Sequence, residues 1–235
     1  MTEFRPTRFQ MIPPVIKNLI IINVLVFIAQ KTFENNPSFS IDNLFALHAV
    51  QSGYFKPHQL VTYLFLHGGF AHIFFNMFAL WMFGATLENF WGPKRFLIFY
   101  MACGIGAGLL HLFILWRELA PMMADLQRYP LEIQQLYLMD PASPLNGATV
   151  GASGAVFGCL AAFGYLFPNT QMIILPIPFP IKAKWFVLIY AGMELVLGIQ
   201  NSAGDNVAHW AHLGGAAVGI LFVLYWKRHD RRNFY

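Results

Sequence analysis

The chain reads Val150-Gly151-Ala152-Ser153-Gly154 at the head of an apolar segment that continues to Phe167. Nearer the C-terminus, a second apolar segment carries Ala211-His212-Leu213-Gly214-Gly215 and, four residues later, Gly219. Glycines beside a polar residue let two helix backbones approach closely within a membrane. A serine and a histidine placed in this way, near the same end of two membrane spans, predict a nucleophile with its base inside a bilayer.

The composition is that of an integral membrane protein. Of the 235 residues, 57% are hydrophobic and only 11% are charged. Several runs approach the length of about 20 apolar residues that a helix needs to cross a bilayer. Six spans with two short termini predict a single domain over residues 1–235. We predict an all-α polytopic bundle of six transmembrane helices, at Val15–Lys31, Phe70–Leu87, Arg95–Trp116, Val150–Phe167, Trp185–Leu197 and Val207–Trp226.

Lysine and arginine are distributed unequally over the two sides of the predicted bundle. If the N-terminus is cytoplasmic, 11 of the 15 basic residues lie inside, and the outside keeps Lys31, Lys56, Arg117 and Arg128. The positive-inside rule then places both termini in the cytoplasm, and we expect the protein in a bacterial inner (plasma) membrane. This bias accounts for the net charge of +4, so the predicted partner is a lipid bilayer and no nucleic acid.

The predicted loops differ in length and character. Two external segments, Thr32–Gly69 and Glu118–Thr149, are long and mix apolar with polar residues, which predicts partial burial at the membrane interface. The external loop Gly198–Asn206 is short, polar and glycine-containing, so we expect it to be able to move. The internal stretch Ile173–Pro180 has three prolines at alternate positions and is predicted to be extended or interfacial.

Polar residues coincide at one depth in three of the spans. The second, fourth and sixth spans all run from outside to inside, so their first turns lie at one level below the outer surface. Polar side chains are expensive in a bilayer and usually face the interior of a bundle, so the coincidence predicts a site, although each one alone could form a helix-to-helix hydrogen bond. The residues at this level are His67, His72, Asn76, Gly151, Ser153, Gly154, His209 and His212.

Chemistry assigns roles to these residues. A neutral imidazole is the usual base for a serine hydroxyl near pH 7, which predicts Ser153 as nucleophile and His212 as general base. Phe157, one turn below Ser153, is expected to pack against the imidazole. Gly215 and Gly219 follow His212 on its helical face, and the fourth span carries a matching stripe of small residues: Gly154, Gly158 and Ala161.

An acyl-transfer site also needs donors for the developing oxyanion. Backbone N–H groups at the start of the helix of Ser153 are candidates, as are the side chains of His72 and Asn76, four residues apart on one face. No acid is expected at the depth of Ser153, so we predict a dyad and not a triad. Asp140 and Asp205, both in loops, are weak candidates for a third member.

Three motifs together resemble those of one family, the rhomboid intramembrane serine proteases. The resemblance rests on Gly151-x-Ser153-Gly154, on Ala211-His212-x-x-Gly215-x-x-x-Gly219, and on His67-x-x-x-x-His72-x-x-x-Asn76, which Gly84 and Glu88 continue. It covers nearly the whole chain. It implies a six-helix bundle with a water-filled cavity open to the outside, Ser153 and His212 as the catalytic dyad, and His72 with Asn76 at the oxyanion. It also implies single-span membrane proteins as substrates, cleaved near the outer membrane face and admitted past the fifth span.

The sequence departs from the family pattern at one place. Many members carry a Trp-Arg pair in the first external loop, where this chain has His58-Gln59. The pair is linked to loop architecture, so its absence concerns that loop and not the chemical step.

Two acidic residues lie within or next to predicted spans. Glu88 is expected to be a structural hydrogen-bond acceptor, and Glu194 is expected to be a structural residue near the interface or a proton site.

Two alternatives come from other classes. A histidine-metal intramembrane protease could use His67, His72, His209 and His212, but the sequence has no HExxH pair and we expect no carboxylate at that depth, so no metal and no other cofactor is predicted. A protein without protease activity is the other alternative, either an inactive rhomboid-like protein that binds membrane clients or a transporter. Inactive relatives are expected to lack the serine or the histidine, and a transporter more often shows an inverted repeat with broken helices.

Overall fold

Helices dominate the computed structural model, which describes residues 9–36, 39–173, 179–200 and 207–229. Two short antiparallel pairs, β1 (Leu47–His48) with β2 (Ala148–Thr149) and β3 (Gln171–Met172) with β4 (Ile181–Lys182), join loop segments. The α-helices in these residues are α1 (Pro14–Phe33), α2 (Ile41–Phe45), α3 (Gln59–Thr62), α4 (Phe70–Ala79), α5 (Ala85–Trp91), α6 (Pro93–Leu126), α7 (Leu131–Met139), α8 (Ser153–Leu166), α9 (Ala183–Gln200) and α10 (His209–His229). A π-helical turn, Leu80–Gly84, joins α4 to α5, and 3-10 turns lie at Tyr63–Phe65 and Pro144–Asn146.

The predicted helical polytopic architecture is confirmed. Five helical segments in the described part of the chain are long and apolar enough to cross a membrane: α1, the continuous run Phe70–Trp91, α6, α9 and α10. The sixth helix of the bundle, α8, has 14 residues and is therefore about 21 Å long. It is shorter than the predicted span Val150–Phe167, because Gly151 has φ +129°, outside the helical region, and the helix begins only at Ser153.

Small residues bring α6, α8 and α10 into close contact around the middle of the bundle. A β-carbon on Gly158 of α8 would lie 2.5 Å from the Sγ atom of Cys103 on α6. One on Gly219 of α10 would lie 2.7 Å from the carbonyl oxygen of Gly158. Nearly all of α8 after Ser153 is buried as a result.

The second external segment is more helical than expected. The predicted loop Glu118–Thr149 contains the last nine residues of α6, which runs to Leu126, and all of α7. Residues 118–126 are mostly good helix formers such as Glu, Leu, Ala and Met, and they continue the helix through Pro121. The predicted third span, Arg95–Trp116, therefore ends ten residues too early.

Two other predicted segments fall partly outside the described residues. The loop Gly198–Asn206 begins with the last turn of α9, which ends at Gln200, and residues 201–206 are outside the described part of the chain. In the internal stretch Ile173–Pro180, residues 174–178 are likewise outside it. The flanking strands β3 and β4 pair with each other, in agreement with an extended approach to the prolines.

Gln59 organises the first external loop. Its side chain is fully buried, donates from Nε2 to the carbonyl of Tyr54 at 2.9 Å, and accepts at Oε1 from the backbone N–H of Lys56 at 3.1 Å. The adjacent His58 contacts the carbonyl of Leu44 through Nε2 at 2.8 Å. The His58-Gln59 pair thus joins distant parts of the first external loop. This agrees with the expectation that the absence of a Trp-Arg pair concerns the architecture of that loop and not the chemical step.

Glu88 connects the first two spans. Its carboxylate accepts hydrogen bonds from the backbone N–H groups of Val15 and Ile16, both at 2.9 Å. These N–H groups belong to the first turn of α1, where no intrahelical acceptor exists. The prediction that Glu88 is a structural acceptor is confirmed, because a carboxylate that is 2% exposed caps α1 from the middle of α5.

Candidate active site

A glycine with an unusual backbone conformation leads into the helix of Ser153. Gly151 has φ +129°, in the region that only glycine adopts readily, and its N–H donates to the carbonyl of Tyr63 at 2.9 Å. The same segment is held by β2, which pairs with β1 of the first external loop. The turn at Gly151 is therefore fixed from two sides, and α8 starts with Ser153 as its first residue.

Ser153 and His212 are in hydrogen-bond contact. His212 Nε2 on α10 lies 2.9 Å from Ser153 Oγ on α8. The ring of Phe157 lies flat on the imidazole of His212, with 4.2 Å between ring centroids and 5° between ring planes. Both rings are less than a tenth exposed, so the histidine is clamped beside the serine hydroxyl.

Glycines bring the two helices close enough for this contact. A β-carbon on Gly215 would overlap the carbonyl group of Gly154, the residue after Ser153. One on Gly154 would meet the Cβ atom of Ala107 on α6 and lie 3.4 Å from the carbonyl oxygen of Ala211. Together with Gly219, these positions form the small-residue contact that the sequence pattern requires between the spans of Ser153 and His212.

A buried carboxylate lies at the second ring nitrogen of His212. Glu194 Oε2 on α9 is 2.9 Å from His212 Nδ1, and Glu194 is 4% exposed. The prediction that no acid lies at this depth is wrong, and Glu194 does not lie apart from the site at the membrane interface. The helix α9 runs in the opposite direction to α8 and α10, so its outer end is its C-terminal end, at Gln200. Glu194 lies six residues before Gln200 and so comes to the level of His212.

His209 shares this carboxylate. Its Nδ1 atom is 2.7 Å from the same oxygen, Glu194 Oε2. The donor atoms of Glu194, His209 and His212 lie within 4.8 Å of one another, and in the described residues this is the group that could hold a metal ion. It differs from the four-histidine set weighed as an alternative in the sequence analysis, since His67 and His72 are not part of it.

His72 presents a ring nitrogen to the neighbourhood of Ser153. The N–H of Gly68 donates to His72 Nδ1 at 3.3 Å, so the neutral ring carries its proton on Nε2. A β-carbon on Gly151 would lie 2.9 Å from His72 Nε2 and 3.6 Å from Ser153 Oγ. The His72 N–H group is therefore near the Ser153 hydroxyl, where an oxyanion donor would be needed if that hydroxyl attacked a carbonyl.

Asn76 and His67 flank His72. The amide of Asn76 donates from Nδ2 to the carbonyl of His72 at 3.0 Å, which leaves a second N–H on the same nitrogen. The ring of His67 packs edge-on against that of His72, with centroids 5.1 Å apart. His67 is itself buried, with 1% of its surface exposed.

Of the two loop acids, Asp140 does not join the site. Asp140 accepts at Oδ1 from the N–H of Ala142 in its own turn at 2.9 Å, and Asp205 lies outside the described residues.

His111 on α6 is a polar residue that the sequence analysis did not single out. Its Nε2 atom lies 2.8 Å from Thr149 Oγ1 in β2. Its position near the outer end of the third predicted span, where a polar side chain is costly, could have indicated it.

Comparisons with known proteins agree on one family. A family model described as the rhomboid domain matches residues 54–229, which include every residue of the site. Rhomboid protein 1, mitochondrial, from Saccharomyces cerevisiae is 32% identical over 167 residues, covering 71% of this chain and 41% of that protein.

Two further relatives come from a plant and a bacterium. RHOMBOID-like protein 12, mitochondrial, from Arabidopsis thaliana is 28% identical over 221 residues, covering 94% of this chain and 60% of that protein. Rhomboid protease GluP from Bacillus subtilis is 30% identical over 163 residues, covering 69% of this chain and 25% of that protein. The chain thus spans less than two thirds of the length of each of these relatives.

Proposed function

Because the chain belongs to the rhomboid family, we propose that it is an intramembrane serine endopeptidase with Ser153 as nucleophile and His212 as general base. The observation that carries the proposal is the 2.9 Å contact between Ser153 Oγ and His212 Nε2 at the partly buried start of α8. A serine hydroxyl is a weak nucleophile until a positioned base accepts its proton, and this contact supplies the base.

The reaction follows from this contact. His212 Nε2 takes the hydroxyl proton as Ser153 Oγ attacks the carbonyl carbon of the peptide bond. The protonated imidazole then gives this proton to the leaving nitrogen, the C–N bond breaks, and an acyl ester remains on Ser153. His212 next removes a proton from water, which hydrolyses the ester, and the proton returns to Ser153.

The negative oxygen of the tetrahedral intermediate needs donors. His72 Nε2–H lies beside Ser153, and the first backbone N–H groups of α8 lack intrahelical acceptors. The second N–H of Asn76 is a further candidate on the same face as His72. The N-terminal end of α8 also carries the positive end of its helix dipole, which favours negative charge at this place.

The proposed substrates are single-span membrane proteins. An intact transmembrane helix keeps its peptide carbonyls in internal hydrogen bonds, so a substrate helix must unwind near the outer membrane face before Ser153 can attack. The proposed location is the inner (plasma) membrane of a bacterium, with both termini in the cytoplasm. The positive-inside bias supports this orientation, whereas two of the relatives above are mitochondrial by name.

A zinc-dependent hydrolase is the second candidate function. Glu194, His209 and His212 form a two-histidine, one-carboxylate donor set of the kind that catalytic zinc sites use. In that case His212 would bind metal through Nδ1, and its contact with Ser153 would have no catalytic role. The serine proposal is favoured because it uses both ring nitrogens of His212 as the structure arranges them.

Labelling with a fluorophosphonate probe tests the proposal directly. The purified protein, reconstituted in liposomes, should be labelled, and it should cleave a reporter with one transmembrane helix. Ser153→Ala should abolish both signals, and His212→Ala should abolish cleavage and strongly slow labelling, because the base is gone. A wild-type protein that is neither labelled nor able to cleave would instead favour an inactive, client-binding rhomboid.

A further inference from the structure

One carboxylate oxygen is the common acceptor of two histidines. Glu194 Oε2 lies 2.7 Å from His209 Nδ1 and 2.9 Å from His212 Nδ1. The two histidines are one turn apart on α10, and Glu194 reaches them from α9. All three side chains are less than a tenth exposed.

Burial makes the protonation pattern of this group specific. A buried carboxylate is tolerated when hydrogen bonds or charges compensate for the water it has lost, and two N–H donors do so here. An ionised carboxylate can only accept, so both Nδ1 atoms carry the protons. A neutral His212 with its proton on Nδ1 then has a free lone pair on Nε2, 2.9 Å from Ser153 Oγ.

Resting on the function proposed above, we propose that Glu194 is a positioning residue that fixes the tautomer and orientation of His212. His209 holds Glu194 in place through the same oxygen. The site is therefore a Ser153–His212–Glu194 triad, in which the carboxylate is fastened by a second histidine, rather than a dyad.

Within the described part of the chain, no other contact of His212 can do this task. The flat stacking of Phe157 fixes the plane of the imidazole, but an imidazole turned over within that plane would stack equally well. Only an acceptor at Nδ1 decides which nitrogen faces Ser153 with its lone pair. The carboxylate also stabilises the positive charge on His212 while the ring holds the serine proton, before that proton passes to the leaving nitrogen.

Four variants separate positioning from a structural role. Glu194→Gln keeps the shape but offers an amide that can donate to Nδ1, which favours the unproductive tautomer. Glu194→Asp keeps the carboxylate charge on a side chain that is shorter by one methylene group. His209→Ala removes the second donor. Glu88→Gln is the matched control, because Glu88 is the other acid in the described part of the chain that is similarly buried and accepts two hydrogen bonds, in its case from backbone at the far end of the bundle.

The readouts are kcat and KM for a single-span reporter in liposomes, with thermal unfolding as the check of folding. Glu194→Gln should lower kcat about 10⁴-fold, as amide substitution of a triad acid does elsewhere, with KM changed less than about threefold. Glu194→Asp should restore part of kcat. His209→Ala should lower kcat roughly 10-fold to 100-fold, because Glu194 is displaced but retained. Folded Glu88→Gln should keep the wild-type kcat.

Retention of kcat within about threefold in folded Glu194→Gln would overturn the proposal. So would equal losses in Glu194→Asp and Glu194→Gln that merely follow their unfolding temperatures. If Glu194→Gln does not fold, His209→Ala decides, and an unchanged kcat there contradicts the proposal. A wild-type protein that neither cleaves nor takes up the fluorophosphonate probe would refute the serine protease function itself, and the triad with it.

Discussion

The carbonyl group of Gly154 stands where a β-carbon on Gly215 would be. The obstacle is backbone, immediately after Ser153, so it cannot rotate away as a side chain could. Gly215→Ala should therefore push α10 from α8, lengthen the distance between His212 and Ser153, and reduce kcat at least about 100-fold. We expect a stability loss of about 1–3 kcal/mol, since overpacking a close contact is costly.

Gly192 is the matched control for this change. It lies in the interior of α9, and a β-carbon there would meet nothing within 4 Å. Gly192→Ala should leave cleavage unchanged and slightly raise the unfolding temperature, because alanine favours a helix over glycine by about 1 kcal/mol. Cleavage by Gly215→Ala at the rate of Gly192→Ala would contradict the importance of the helix contact.

The serine and histidine should behave as one unit in a double-mutant comparison. Ser153→Ala and His212→Ala should each lower kcat/KM by roughly 10⁴-fold or more, and the double variant should lose about as much as either one. The reason is that the hydroxyl is useless without its base, and the base without the hydroxyl. Cleavage of the single-span reporter measures this, and losses that multiply would argue for two independent roles.

Metal chelation separates the two candidate functions. Saturating EDTA should leave cleavage unchanged, because proton transfer between Ser153 and His212 needs no ion. Added zinc should instead inhibit, since a metal on His212 Nδ1 would leave the ring proton on Nε2, facing Ser153. His209→Ala should weaken that inhibition by removing one ligand. Loss of activity in EDTA that zinc restores would favour the hydrolase alternative.

The outer end of α9 is the expected entrance for a substrate helix. Trp210 packs on Gly198 of α9, with 3.3 Å between the Cε2 atom of Trp210 and a β-carbon built on the glycine, and it lines a groove with Phe113 of α6. Trp210→Ala should speed cleavage of a transmembrane reporter more than it speeds labelling of Ser153 by a water-soluble probe, because only the helix needs a lateral opening.

Trp185→Ala, at the opposite end of α9, is the control for Trp210→Ala and should change neither rate. The helix α9 also carries Glu194, which is proposed to position His212. Loosening the outer end of α9 would therefore not be expected to speed the reaction of Ser153 with the small probe. Equal acceleration of both reactions would show that this edge is not the gate, and the first external loop would become the better candidate.

Glu88→Gln should destabilise the bundle without altering the chemistry. An amide offers one acceptor oxygen in place of two and turns an NH₂ group towards a backbone N–H, so about 1–3 kcal/mol should be lost. Thermal unfolding in detergent measures the loss, and kcat below the transition should equal the wild-type value. An unchanged unfolding temperature would mean that water replaces the cap at no cost.

The sequence predicts those parts of the site that depend on local spacing. Ser153 and His212 could be found because glycines mark close helix contacts and because both residues follow the start of spans that run in one direction. Glu194 could not be placed in the same way, since its depth depends on where α9 ends, and helix ends are uncertain by several residues. The length of α6 is underestimated because its apolar run ends at Arg117 and Glu118, whereas the helix formers that follow continue the helix through Pro121.

The contact between Glu88 and the start of α1 also orders events during biosynthesis. The carboxylate is separated by 73 residues from Val15 and by 72 from Ile16, the two residues whose N–H groups it caps. A nascent chain that has inserted only α1 must leave those groups to water or lipid headgroups until the next span has emerged. The first span therefore reaches its final depth and tilt only after the second has joined it, so insertion of the two is a coupled step.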